Sequence, residues 1–326
     1  MMIDAVITWV DASDPEYVSR RKHHSDPTCD GNAGDNASLR WENNDEVSIC
    51  IKSMELYAPW IRKIWIVTDR QTPNISGVSP RFREKIAVVH HDTIFREYSD
   101  ILPVFNSLSI ETLLFRIPGL ASKFIYFNDD FFLLRRTEPL DFFLADGTPV
   151  LRGRWIKGTE LTRSGALTPH RGYQLRAASM VQPLESEVFL PAHVANSFCR
   201  DTLEMLFQNF RVEFERNLAF RYRDSSQFNI SSLFAAHKIV NQGAEPLLRK
   251  DFAQVSAGTC QSGSLRKINS RLRRLKSPRI KLGCINDVGA LRRRFPGLYE
   301  HFREIFSDST ANRFWARRTL GWRFRY

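Results

Sequence analysis

The sequence predicts an α/β protein: a mainly parallel sheet flanked by helices in a doubly wound layer, followed by a more helical carboxyl-terminal part. Three observations carry that expectation. Short apolar runs alternate with segments of helical periodicity through the first half of the chain. Those runs are apolar on both faces, as strands covered by helices on both sides must be. Acids and asparagines collect at the carboxyl ends of the runs, where open α/β sheets bind their ligands.

In order along the chain, the first strand is expected over Ala5 to Val10 and gives way to the polar Asp11 and Asp14. The next segment sets Val47, Cys50, Ile51, Met54 and Tyr57 at helical spacing, with Asn43 as N-cap, Glu46 three residues on and Pro59 as the stop. Strands are expected over Lys63 to Thr68 and Ile86 to His90. In NSLSIETLLFRIPG, Ile110, Leu113, Leu114 and Ile117 share the face of one continuous helix, ended by Pro118 and Gly119. A fourth strand, Phe124 to Phe127, stops at Asn128, Asp129 and Asp130. Thr137 to Val188 is less regular. Helical pattern returns in SFCRDTLEMLFQNF and in SSQFNISSLFAAHKIVNQGA, the second closed by Gly243. RIKLGCIN reads as a further strand ending at Asn286 and Asp287, and Asp26 to Ser38 and Gln254 to Ser264 read as loops. Residues 1–290 are expected to form a single α/β domain, and 291–326 a basic, aromatic tail.

With 43% hydrophobic and 25% charged residues over 326 positions, the chain has a globular composition and can bury a large core. The five cysteines are scattered and never form a C-x-x-C pair, so neither a disulfide framework nor a zinc site is expected, and a reducing, cytoplasmic setting is. The amino terminus has no basic leader, and its apolar run is too short for a spanning segment. The net charge of +11 gathers in LRKINSRLRRLKSPRIK, LRRRF and RFWARRTLGWRFRY, a field that favours anionic partners. Aromatic residues between the tail arginines point to peripheral contact with an anionic membrane face; a solvated basic surface is the plainer alternative.

Asp129 and Asp130 carry the sharpest chemical signal. Adjacent carboxylates repel, and placing them beside an apolar strand is unfavourable unless a cation or donors compensate. Hard oxygen ligands suit Mg2+ or Mn2+, which bridge phosphate oxygens. The structural alternative has one acid capping a helix and the other meeting Arg135 or Arg136. Asp11 and Asp14 follow the first strand in TWVDASDP; they suit a ribose or metal-bound water, with Trp9 over a base, or simply an Asx-turn. His193, Arg223 and the Asn286-Asp287 pair are weaker signals, the last also explicable as a helix N-cap.

DAVITWVDASDP, LRWENNDEVSICIKSMELYAPWIRKIWIVTDRQTP and LPVFNSLSIETLLFRIPGLASKFIYFNDDFFL, with His193, FRYRDSSQFN and GCINDVG in order behind them, resemble the blocks of the Stealth family. That family comprises bacterial capsule and exopolysaccharide phosphotransferases related to the catalytic subunit of N-acetylglucosamine-1-phosphotransferase. The resemblance implies a nucleotide-sugar-binding fold like that of the GT-A glycosyltransferases. It also implies transfer of a sugar 1-phosphate from a UDP-sugar donor to a saccharide acceptor, with release of UMP. By block position, Asp129, Asp130 and Asp287 are expected at a Mg2+ or Mn2+ ion, and His193, Arg223 and Asp130 in catalysis. Substrate contacts are expected from Trp9, Asp11, Arg40 and Asn44, and from Asp45, Asn106, Asn128 and Asn286. Departures stand at Ala12, Ser48, Asp69-Arg70-Gln71, Val194-Ala195 and Gln227, and bear on the acceptor side more than on the donor side. Two rival readings remain: a GT-A glycosyltransferase that releases UDP, and a basic nucleic-acid-binding protein. Carboxylates in a groove repel a phosphate backbone, so no nucleic-acid partner is expected.

Overall fold

The computed structural model describes residues 1–24, 45–157, 168–184, 187–247, 250–295 and 297–298. Its strands are β1 (Ile3–Thr8), β2 (Ile64–Thr68), β3 (Ile86–His90), β4 (Lys123–Asn128), β5 (Phe131–Leu133), β6 (Gly153–Lys157), β7 (Glu187–Pro191), β8 (Asn196–Cys199), β9 (Phe252–Val255) and β10 (Leu282–Ile285). Its helices are α1 (Pro15–His23), α2 (Glu46–Tyr57), α3 (Pro80–Arg83), α4 (His91–Phe95), α5 (Ser107–Glu111), α6 (Pro169–Ser179), α7 (Arg200–Asn209), α8 (Arg211–Leu218), α9 (Ile230–Gln242), α10 (Ala257–Ser262), α11 (Leu265–Leu275) and α12 (Val288–Arg294).

The main sheet runs β3-β2-β1-β4-β8, its first four members parallel and β8 antiparallel at the edge. Alternate residues of its strands feed two cores. Ile3, Ala5, Ile7, Ile64, Ile66, Ile125 and Phe127 face α2, whereas Val6, Trp65, Val67, Phe124 and Tyr126 face α7, α8 and α9. Burial on both faces is why these strands read as unbroken apolar runs. A second sheet, β5-β10-β9, branches off directly after β4, and β6 and β7 form a separate hairpin. The mainly parallel sheet flanked by helices is the α/β class the sequence predicts.

Several local expectations are corrected. The helix after Asn106 is not continuous: α5 ends at Glu111, and Leu114–Arg116 forms a 3-10 turn. The Thr112 hydroxyl donates to the Ser109 carbonyl at 2.6 Å, a local bond that competes with the helical ladder. SFCRDTLEMLFQNF begins as strand, because Asn196–Cys199 pairs with β4, and the helix starts only at Arg200. Gln254 to Ser264 is the end of β9 followed by α10, not a loop. Helix α2 starts at Glu46 behind Asp45 in a left-handed conformation (φ 63°); the proposed N-cap Asn43 and the loop Asp26 to Ser38 lie outside the described residues. Helix α12 runs across position 290, the expected boundary of the α/β domain.

Asp4 on β1 is fully buried and ties three segments together. It accepts from Arg62 Nε at 2.8 Å and Nη2 at 2.6 Å, from Trp65 Nε1 at 2.9 Å and from the backbone N–H of Ala121 at 2.9 Å. Asp4→Ala leaves buried donors without partners. The expected loss, with Arg62 part-exposed and the pair discounted for screening, is about 3 kcal/mol, read as a lower urea midpoint at unchanged slope. An unchanged midpoint would show that the network contributes nothing net.

Candidate functional site

From β1 the chain winds outward through β2 and β3, then returns to lay β4 on the other side of β1. The reversal lies between β1 and β4, and the crevice outside the carboxyl ends of such a pair is where an open α/β sheet binds ligands. The register sets Thr8 beside Asn128 at that end. The Tyr126 hydroxyl donates to Asn128 Oδ1 at 2.6 Å and lies 2.8 Å from Thr8 Oγ1, so one phenol holds both strand ends.

Asp129 and Asp130 form the turn from β4 into β5, both half-buried. Because β10 runs antiparallel to β5 with Cys284 opposite Phe131, the end of β10 arrives beside Asp130. Asn286 Nδ2 donates to Asp130 Oδ2 at 2.7 Å, and the Cys284 thiol donates to the same oxygen at 3.5 Å. Asp130 Oδ1 is shielded from solvent and has no hydrogen-bond partner among the described residues. Burial pushes both carboxyl groups well above the usual carboxylate range; the Asp130 charge adds to the effect on Asp129, and Glu46 to that on Asp130. Among the described residues, no ion pair joins Arg135 or Arg136 to either acid. Arg135 donates to the carbonyls of Leu134 and Lys276, and Arg136 pairs with Glu138. Neither acid caps a helix. An orphaned oxygen within a repelling pair fits a divalent cation.

Asp287 takes the capping role instead. From a left-handed conformation (φ 61°) its Oδ1 accepts from the Ala290 N–H at 2.9 Å, and its Oδ2 accepts from Gln261 Nε2 at 2.7 Å. Asn286 is held by Gln254 as well as by its bond to Asp130.

His193 lies in the four-residue link between β7 and β8. Since β8 pairs antiparallel with β4, Asn196 opposite Tyr126, the residues just before β8 fall beside the Asn128-Asp129-Asp130 turn. The imidazole packs edge-on against Phe131 at 4.8 Å and against His170 at 5.6 Å. Burial, with His170 and Arg223 nearby, pushes it down to about 3, so the ring is neutral and one nitrogen carries a free lone pair. Arg223 is exposed, and its Nη2 donates to Ser107 Oγ at 2.8 Å. Its loop is fixed from below by Asn106, 1% exposed, which donates to the carbonyls of Phe220 and Tyr222 and to Gln227 Oε1. Asn106 also caps α5, so its amide supports the arginine loop and does not face the crevice.

Around the first strand the turn reading prevails. Asp11 Oδ1 accepts from the Ser13 N–H and hydroxyl, and Asp14 caps α1 while accepting from Gln71 Nε2. Gln71 also accepts from the Asp11 N–H, clamping this loop to the end of β2. Trp9 sits in the core, leaving 7% of its surface exposed. Ser48 is buried, bonded to Asp45 and to the Asn74 carbonyl. Arg40 and Asn44 lie outside the described residues.

Three residues at the site escaped the sequence reading. Glu111, 5% exposed, is hydrogen-bonded to Tyr126 and Ser107 within the field of Arg223, and burial raises it to about 7. It thereby links the arginine side of the crevice to Asn128. The only signal was an acid on the otherwise apolar face of LSIETLLF. His170, in the first turn of α6, and Cys284 become visible only when the fold joins segments distant in sequence.

Among the described residues, no helix is long and apolar enough to cross a membrane. Comparison with known proteins matches residues 1–23 to Stealth protein conserved region 1 and residues 40–151 to conserved region 2. An exopolysaccharide phosphotransferase of Streptomyces coelicolor is 35% identical over 71% of this chain and 38% of its own length. The chain spans well under two thirds of the streptomycete relatives it matches, 38% of one and 27% of another. The capsular polysaccharide phosphotransferase WcwK of Streptococcus pneumoniae is 26% identical over 88% of this chain and 90% of its own. A solved structure of the galactosyltransferase LgtC with donor and acceptor sugar analogs superposes with a TM-score of 0.47 at 10% identity, covering 95% of this chain and 96% of that one. With both conserved regions present in order, and the second carrying the Asn128-Asp129-Asp130 turn, the chain belongs to the Stealth family.

Proposed function

We propose that this chain transfers a sugar 1-phosphate from a UDP-sugar to a hydroxyl of an oligo- or polysaccharide acceptor, releasing UMP, in capsular or exopolysaccharide synthesis. The observation that carries the reading is the unanswered carboxylate pair at the end of β4, flanked by a neutral His193 and by Arg223 on a braced loop. The names of the relatives, polysaccharide phosphotransferases, support the reaction class. N-acetylhexosamine 1-phosphate is the proposed group, from the family's relation to N-acetylglucosamine-1-phosphotransferase.

Asp129 and Asp130 would hold Mg2+ or Mn2+, with Asn286 orienting Asp130 and Asp287 capping the helix behind it. Bound there, such an ion would supply positive charge to offset that of the donor's pyrophosphate. His193 is the general base: its free ring nitrogen takes the proton of the acceptor hydroxyl as that oxygen attacks the phosphorus bearing the sugar. The bond from this phosphorus to the oxygen shared with the nucleotide phosphate breaks, and UMP leaves. A bound pyrophosphate raises the imidazole from its ligand-free value toward the working range, because a nearby anion favours the protonated form. Arg223, positioned through Ser107 and the Asn106-Gln227 brace, faces the charge that gathers on the attacked phosphoryl group. The C1–O bond of the sugar is untouched, so its anomeric configuration is kept. Contact of the basic C-terminal region with an anionic membrane face, and a cytoplasmic location, remain part of the proposal; the tail beyond 298 lies outside the described residues.

The direct test incubates the purified chain with UDP-N-acetylglucosamine, related UDP-sugars, Mg2+ or Mn2+ and oligosaccharide acceptors. UMP together with a phosphodiester resonance in the 31P spectrum of the product is the expected result; UDP would make the chain a glycosyltransferase. Asp129→Asn and Arg223→Ala are each expected to lower turnover by about a thousandfold, roughly 4 kcal/mol of barrier, in a chain that circular dichroism shows to be still folded. Near-normal turnover would remove those residues from the site. Glu111 supplies a separate readout. Its carboxyl is raised on folding, so it favours the folded state below its unfolded pKa and loses that contribution as the pH climbs through about 7. Glu111→Gln is therefore expected to flatten the fall in melting temperature between about pH 5 and 8. Parallel profiles for variant and parent would place Glu111 in an ordinary, solvated state.

A further inference from the structure

Cys284, His193 and Asp130 come from three separate parts of the fold: the last strand of the second sheet, the link between β7 and β8, and the β4–β5 turn. Their ligand atoms, one sulfur, one imidazole nitrogen and one carboxylate oxygen, all lie within 4.8 Å of one another. We propose that these three residues form a site for a thiophilic divalent ion, Zn2+ in the first place, distinct in donor chemistry from the all-oxygen ligation offered by Asp129 and Asp130.

The donor set is mixed in the manner of catalytic zinc, where three protein ligands leave a fourth position open. Thiolate and imidazole select zinc or cobalt over magnesium, which demands hard oxygen ligands in a near-octahedral shell. With zinc–sulfur and zinc–nitrogen bonds of about 2.3 and 2.0 Å, tetrahedral ligands stand about 3.3–3.5 Å apart. The widest pair must therefore approach by up to about 1.5 Å, within the reach of side-chain rotations at Asp130 and His193. Both of those residues are half-buried, while Cys284 is fully buried at the back.

Two further observations point to a ligand here. Among the described residues Asp130 Oδ1 is shielded from solvent and lacks a partner, while Oδ2 already carries the Asn286 bond, so one oxygen is open to ligation and the other is held in orientation. The imidazole makes T-shaped contacts with both Phe131 and His170, which restrict the ring beside the sulfur. On binding, the thiol proton is released to solvent, and the S–H bond to Asp130 gives way to a shared ion. The cysteine spacing hides this site entirely, because its three ligands span Asp130 to Cys284 and no two are close in sequence.

In the transferase reading Asp130 also serves the harder ion and His193 takes the acceptor proton, so zinc competes with Mg2+ for the one and occupies the base nitrogen of the other; those consequences alone rest on the reading above, and the binding test does not. Co2+ added to the metal-free full chain is the probe. The expected result is a near-ultraviolet thiolate-to-cobalt charge-transfer band with tetrahedral visible absorption, bleached by equimolar Zn2+ and untouched by Mg2+. Cys284→Ser removes the band and Cys260→Ser keeps it. His193→Gln weakens zinc binding by at least the factor of about 10–100 that losing an outer partner of a metal site costs. X-ray absorption at the zinc edge of the unmodified chain provides an independent check should Cys284→Ser fail to fold, with one sulfur and two or more nitrogen or oxygen neighbours expected. A chain that gives no band with Co2+, a band that survives Cys284→Ser, or a zinc shell without sulfur would overturn the proposal. UDP release in the transfer assay would leave it standing.

Discussion

Two carboxylates that cannot comfortably share the end of β4 organise the rest of the crevice. Asp129 and Asp130 are adjacent in sequence, half-buried and mutually repelling, and the arginines nearest in sequence turn to other partners. Such a pair is tolerated only where its surroundings hold it in place and where a cation can answer it. Asn286 supplies the orientation and the orphaned Oδ1 the vacancy for an ion. The fold contributes the meeting point. The reversal between β1 and β4 opens a crevice there, the second sheet brings Cys284 and Asn286, and the edge strand brings His193.

Beneath this pair lies a layer that does not touch the crevice but decides its shape. Tyr126 ties the ends of β1 and β4 together, and Glu111 bonds to Tyr126 and Ser107. Ser107 meets Arg223, while Asn106 and Gln227 brace the loop that carries it. A hydrogen-bonded connection thus runs from the strand ends to an exposed arginine more than ninety positions away in sequence. Gln227, a departure from the family pattern, is 1% exposed and bonds to Asn106, Ser109 and the Asn217 carbonyl, so its part is structural bracing within that layer.

The elements legible in the sequence were those whose signal is local. All four expected strands of the first half are present, because burial on both faces leaves unbroken apolar runs, and Gly243 closes α9 in the left-handed conformation its lack of a side chain permits. The placement of Asp129 and Asp130 at a strand end was legible for the same reason. What the sequence could not express was competition from distant partners. Thr112 and Ser109 divert hydroxyls that break a helical pattern, and Asn196 to Cys199 become strand because β4 offers an edge. Asn106 looked like a ligand-binding residue and is a buried brace; Glu111 looked like an incidental acid and links the two sides of the crevice. Both differences arise from which side chains the fold buries together, a property of three-dimensional packing that residue spacing does not encode.

A divalent cation completing the Asp129-Asp130 pair would stabilise the folded chain. Thermal melting of the metal-free chain with and without Mn2+, repeated on Asp129→Asn and Asp130→Asn, tests it most directly, since an ion that binds the folded state alone raises the melting temperature. The expected result is a rise with Mn2+ in the parent chain, larger above neutral pH where both carboxyl groups are ionised, and its loss in both variants. No rise in the parent, or an equal rise in the variants, would contradict it.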